Sequence, residues 1–240
     1  MNKLDKLRIS KTPSSKDRSS YVGVEIEFSY PRDRVDFALK LIEAKLDKYC
    51  SLGEDGRPNE GHWSSLEVRC LVKEKESYKV LTRLGDLIVR SGGQVNNSHG
   101  LHVHLDMRFR ESAQSYANLV RCQPIIYAMA AKWRSRSHWC TRQEHTELYL
   151  AKSGKHAGIN PILRPGKYTI EVRIHEGIVN GKDIARYVNF LTSIVDSRVP
   201  HKIASLNTFN KYIKPTKRTK EYMIERLKLH KRKALLKGVA

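Results

Sequence analysis

The sequence predicts an α+β fold: a curved, largely antiparallel sheet lining a cavity with one face, with helices packed on its other, apolar face. Two observations carry this expectation. Four stretches alternate apolar and polar side chains with period two, and amphipathic stretches of helical period separate most of them. The polar positions of those four stretches are mostly Glu, His, Asp and Arg, whereas a solvated sheet face mixes Lys, Thr and Ser with its charges.

Residues 1–20 are rich in Lys, Ser and Asp and read as a flexible basic leader. The first strand spans 21–29, with Val24, Ile26 and Phe28 on one face and Glu25 and Glu27 on the other. Val35, Leu39, Ile42 and Leu46 recur at helical spacing and predict a helix over 32–48. The Gly- and Pro-bearing stretch 53–63 predicts a loop. A strand follows in which Glu67 and Arg69 oppose Leu66, Val68 and Cys70. Val80, Leu81, Leu84, Leu87 and Ile88 predict a second helix over 74–91, ended by Gly92-Gly93.

The stretch Ser98-His99-Gly100-Leu101-His102-Val103-His104-Leu105-Asp106 is the chemical centre of the pattern. His102, His104 and Asp106 share one strand face, and Leu101, Val103 and Leu105 the other. Residues 112–134 are expected to be helical, with Pro124 marking a kink or a break. The polar segment 135–166 reads as irregular, of the kind that forms a substrate loop or lid. Thr169 to His175 is the fourth strand, with Glu171, Arg173 and His175 opposite Ile170, Val172 and Ile174. A helix is expected over 182–205 and a basic helix from about residue 215. The organisation expected is a leader (1–20), a catalytic domain (21–205) and a basic, helical tail (206–240).

Composition narrows the class. The chain has 240 residues with 40% hydrophobic content, enough for a sizeable core and too apolar for a disordered chain. No apolar run reaches the length of a membrane span, and no apolar signal core stands at the N-terminus. Cys50, Cys70, Cys122 and Cys140 include no C-x-x-C pair and read as free thiols of a reducing, cytoplasmic setting. The net charge is +20, and residues 211–240 carry eleven Lys or Arg against Glu221 and Glu225. Such a block is either a solvated tail or an attachment point for an anionic partner. Trp63, Trp133 and Trp139 read as packing at loop edges.

Carboxylates gathered on one surface repel, and a bound cation relieves that repulsion. Glu25, Glu27, Glu67 and Glu171 supply the oxygens that Mg²⁺ prefers, and His102 or His104 an imidazole nitrogen. Arg173 shares the face of Glu171, where its fork suits a phosphoryl group. No Walker or G-x-G-x-x-G motif is present, so any nucleotide must be held by metal and arginine.

Four blocks in order resemble the amidoligase family, a branch of the carboxylate–amine ligases related to glutamine synthetase and glutamate–cysteine ligase. They are Gly23-Val24-Glu25-Ile26-Glu27-Phe28, Leu66-Glu67-Val68-Arg69, Val95 to Asp106, and Tyr168 to Gly177. The similarity covers roughly residues 20–200 and implies the catalytic-domain fold of those ligases. It also implies an ATP-dependent reaction in which a carboxylate becomes an acyl phosphate and an amine then displaces phosphate to form an amide or isopeptide bond. By position it implies Glu25, Glu27, Glu67, His102, His104 and Glu171 as ligands of Mg²⁺ or Mn²⁺. Glu25, Glu171 and Arg173 are then catalytic, with Arg136, Arg173 and His104 at the nucleotide and Asp55, Asp106 and Asn160 at the substrate. The substrates implied bear an amine and a carboxylate: an amino acid, a peptide or a protein side chain. The sequence departs from the family at Asp55-Gly56-Arg57, where Asp-Gly-Ser is common, and at His99, where a small residue or Cys is common. The residues alone also fit a metal-dependent hydrolase or nuclease, with the basic tail holding nucleic acid.

Overall fold

The computed structural model describes residues 3–7, 11–13, 17–54 and 63–236. In chain order the elements are α1 (Lys3–Leu7), β1 (Tyr21–Tyr30), α2 (Arg34–Glu43), β2 (Cys50–Glu54), β3 (Ser64–Lys73), α3 (Glu74–Arg90), β4 (Gly100–Asp106), α4 (Ser112–Met129), α5 (Lys132–Ser135), β5 (Ile159–Arg164), β6 (Lys167–Glu176), α6 (Gly181–Val195), α7 (Leu206–Ile213) and α8 (Lys217–Leu229). The fold is α+β. The six strands are ordered β2-β3-β1-β4-β6-β5, and β2/β3, β1/β3 and β5/β6 pair antiparallel. The chain divides into two units, one of Met1–Val103 with Gly177–Ala185 and one of His104–Glu176 with Arg186–Ala240.

In the first unit the period-two pattern of β1 is realised residue by residue: even positions from Val22 to Tyr30 are buried and odd ones half-buried. The β1/β3 register sets Glu27 opposite Glu67 and Glu25 opposite Arg69. On the apolar side Phe28, Tyr30 and Phe37 pack edge-on, Phe37 lying 5.1 Å from each of the other two rings. Asp33 caps α2 by accepting from the Asp36 amide at 2.8 Å. Gly85 of α3 is required by contact rather than by a turn. A Cβ there would collide with the backbone of Gly181, where α6 begins.

In the second unit α4 runs unbroken through Pro124 to Met129, and the chain leaves the helix only at Ala130, which is extended. Of the kink or break expected at Pro124, no break occurs there, and Pro124 sits inside a buried helix. Proline removes the amide that would bond the carbonyl of residue 120. The Gln123 side chain donates to that Val120 carbonyl instead, at 3.2 Å. The segment expected to be irregular contains β5, and β2 occupies the end of the first unit's order. Residues 206–236 carry α7 and α8, whose apolar faces are buried through Leu206, Phe209, Ile213, Tyr222, Met223 and Leu227. The leader includes α1, with Leu7 buried. All four cysteines are free and buried. Among the described residues no helix is long and apolar enough to cross a membrane.

Candidate functional site

The polar faces of β1, β3 and β4 assemble one cluster in the first unit. Both ring nitrogens of His102 face carboxylates: Nδ1 lies 3.1 Å from Glu25 Oε2 and Nε2 lies 3.7 Å from Glu27 Oε1. The other oxygen of Glu27 accepts from the Gly100 amide at 2.7 Å. That bond ties the carboxylate to the strand that carries the histidine. Glu67 stands across from Glu27 and is engaged by the guanidinium of Arg69. Burial raises the Glu67 carboxyl, and the Glu25 and Glu27 charges raise it further against the opposing pull of Arg69. Arg69 is thus an ion-paired residue at the rim, nearly half exposed. His99 has a structural job: its Nδ1 accepts from the Asn96 amide at 2.9 Å, and its carbonyl accepts from the Gly177 amide.

A second cluster forms in the second unit on β5, β6 and the end of β4. Glu171 is buried, and its two oxygens are separately employed. Oε1 accepts from Arg173 at 2.8 Å and lies 3.7 Å from His104 Nε2; Oε2 accepts from Asn160 Nδ2 at 2.9 Å. Asn160 is set opposite Glu171 by the β5/β6 register, and its Oδ1 accepts from the Gly154 amide at 2.9 Å. Only the resemblance pointed to Asn160, as a substrate residue, and the structure sets it on Glu171.

Other expected residues lie elsewhere. Asp106 is gripped by Arg108, with Nε 3.0 Å from Oδ1 and a terminal nitrogen 2.8 Å from Oδ2. Arg136 is exposed at the end of α5, and the buried arginine of that segment is Arg134, which donates to the Arg173 carbonyl at 3.0 Å. No spacing rule separates two arginines two residues apart at the end of a single helical turn, so Arg134 left no signal. Asp55 lies outside the described residues. His175 shares a strand face with Glu171 and Arg173 but belongs to a different network. Its Nδ1 donates to the Glu176 carbonyl at 2.8 Å, so its Nε2 accepts from Tyr222 Oη at 3.0 Å. Burial pushes the imidazole down to about 4, against the pull of Glu176. Burial would raise Glu176, but His175, His230 and Arg226 outweigh it and hold the carboxylate well below its usual range. This network fastens α8 to the end of β6.

The first cluster fits a divalent cation by its donors: carboxylate oxygens of Glu25 and Glu27 crowd one imidazole, and the Glu67 carboxyl is raised partly by like charge. The second pairs a buried carboxylate with a guanidinium, an arrangement that holds an anionic group beside a fixed positive charge. No protein-family model matches the chain and no curated protein matches it, so these two clusters are the ground for any functional reading.

Proposed function

We propose that the chain is an ATP-dependent carboxylate–amine ligase that forms an amide or isopeptide bond through an acyl phosphate. The supporting observation is the convergence of Glu25 and Glu27 on His102, beside Glu67. In this reading Glu25, Glu27, Glu67 and His102 hold Mg²⁺ or Mn²⁺, which when bound screens phosphate charge and acts as a Lewis acid. The resemblance also implies a ligand role for His104 and Glu171, which lie in the cluster of the second unit. Arg173, oriented by Glu171, steadies negative charge on the phosphoryl group as it moves, which is where most of the catalysis of phosphoryl transfer resides. Asn160 holds the other oxygen of Glu171, so the carboxylate that orients Arg173 is itself kept in place. The substrates are an amine and a carboxylate, and the basic α8 surface offers attraction to an anionic partner.

The test is calorimetric titration of a non-hydrolysable ATP analogue with and without Mg²⁺, on the wild type, Glu25→Gln and Glu171→Gln. The expected outcome is metal-dependent binding that weakens about tenfold or more in both variants. Absence of binding with either Mg²⁺ or Mn²⁺ overturns the ligase reading, and metal-dependent hydrolysis without ATP would replace it with the hydrolase one.

A further inference from the structure

We propose that the second unit carries a binding platform for single-stranded nucleic acid, built on Trp139 and His156, with Lys155 and Arg142 placed for the phosphates. The proposal does not depend on the ligase reading. Trp139 and His156 stack with centroids 4.7 Å apart and planes inclined by 19°. His138 adds a third ring 4.5 Å from the indole, and Lys155 Nζ sits 5.3 Å over it. The three rings and Lys155 are exposed, and Trp139 retains 39% of its accessible surface.

The platform is held by its backbone. The Thr141 amide and hydroxyl both donate to the His156 carbonyl at 2.8 Å, and the Gly158 amide donates to the Thr141 carbonyl at 2.9 Å. Ser137 Oγ accepts from the Trp139 amide. The turn before His156 uses Gly154 at φ +108, whose amide is anchored on buried Asn160. Arg142 is positioned too: its guanidinium lies 4.1 Å over the ring of Tyr127. Among the described residues neither Arg142 nor Lys155 forms an ion pair, although Lys152 nearby is paired with Glu144.

Rings of this kind, with the uncompensated Lys155 over the indole, match a ligand that offers flat faces and negative charge in alternation. An unstacked nucleic-acid strand does so, because every base has a π-face and every linkage a phosphate. A duplex hides its base faces, and the core of a protein interface is depleted of lysine. The chain's net charge of +20 favours the same polyanion.

The experiment is fluorescence anisotropy of a labelled oligothymidine and of a duplex of the same length, with EDTA present and ATP absent. The wild type should prefer the single strand, with affinity falling as salt rises. Trp139→Ala should weaken binding about tenfold, and Trp139→Phe should restore part of it. Lys155→Ala should lower the slope of log affinity against log salt by about one. Thermal melting establishes that each variant is folded. Absence of binding, equal binding of the duplex, or unchanged affinity in folded Trp139→Ala each overturns the proposal. So does loss of the single-strand preference in Lys217→Ala/Lys220→Ala on α8 with no loss in Trp139→Ala.

Discussion

At the scale of single residues, His175 shows how burial turns a side chain into a pH-dependent element of stability. One ring nitrogen donates to a carbonyl and the other accepts from a hydroxyl, so the neutral ring satisfies both partners, and charging it places an ion in a fully buried site that penalises it. Its folded value of about 4 lies below the ordinary 6.5, so the unfolded chain takes up the proton first. The contribution is complete above pH 6.5 and is lost as pH falls towards 4, amounting to about 3 kcal/mol across that window. Urea unfolding over a pH series should show this loss, and His175→Gln should flatten it; a wild-type stability level across the window would refute the assignment. Asn160 makes a second case. Asn160→Asp would set a new carboxylate against Glu171 where an amide now donates at 2.9 Å. Like charge raises the pKa of the pair in the fold, so the stability of this variant is expected to fall as pH rises towards neutrality. Melting temperatures at pH 5 and pH 7, taken relative to wild type, check the sign.

At the scale of elements, charge and backbone contact do as much as apolar periodicity. Arg226 of α8 meets Glu176 at the end of β6 and also donates to the Met129 carbonyl at 3.0 Å. Arg226→Met would leave a largely buried carboxylate with less than its full complement of partners, and a loss of about 3 kcal/mol is expected by denaturant unfolding. A loss within the range of exposed pairs, under about 1 kcal/mol, would show the anchor to be dispensable. Gly85→Ala forces a Cβ into the Gly181 backbone, which has no flexible end to swing aside, and should lower the melting temperature more than Gly53→Ala, where an added Cβ meets nothing nearer than 3.8 Å. The strands β1, β3, β4 and β6 were legible because each alternates cleanly. β2 was not, because Cys50-Ser51-Leu52-Gly53-Glu54 is short and carries a glycine. β5 was not, because Pro161 sits in it, a residue tolerated on an edge strand. Pro124 misled in the other direction: it signals a break, and a side-chain amide three-dimensionally repairs the ladder that proline interrupts.

At the scale of the molecule, the excess of positive charge is a load on the folded state. Forty-five basic residues face twenty-five acidic ones, and the sum of their repulsions favours expansion. Raising NaCl from about 20 to about 200 mM should therefore raise the melting temperature, as the screening length shrinks; a fall would show that specific ion pairs outweigh the net charge. Of the candidate site, the carboxylates and histidines were legible because strand alternation fixes which residues share a face. So were Arg69 and Arg173, which share strand faces with Glu67 and Glu171, whereas other arginine contacts were not. Arg108 on Asp106, Arg134 on the Arg173 carbonyl and Arg226 on Glu176 depend on loops and on contacts between residues distant in sequence, and no local pattern announces them.

The bond between β6 and α8 also sets an order of events during synthesis. Glu176 is translated some fifty positions before Arg226 and His230, its partners in the fold. Chains fold as they emerge from the ribosome, amino-terminal parts first. The second unit consequently waits, with a carboxylate destined for burial still in water, until α8 has emerged. A message cut short before α8 yields a product that keeps this charge uncompensated and leaves His175 without the Tyr222 hydroxyl. Such a product stays open to proteases, and α8 thereby protects the chains that carry it.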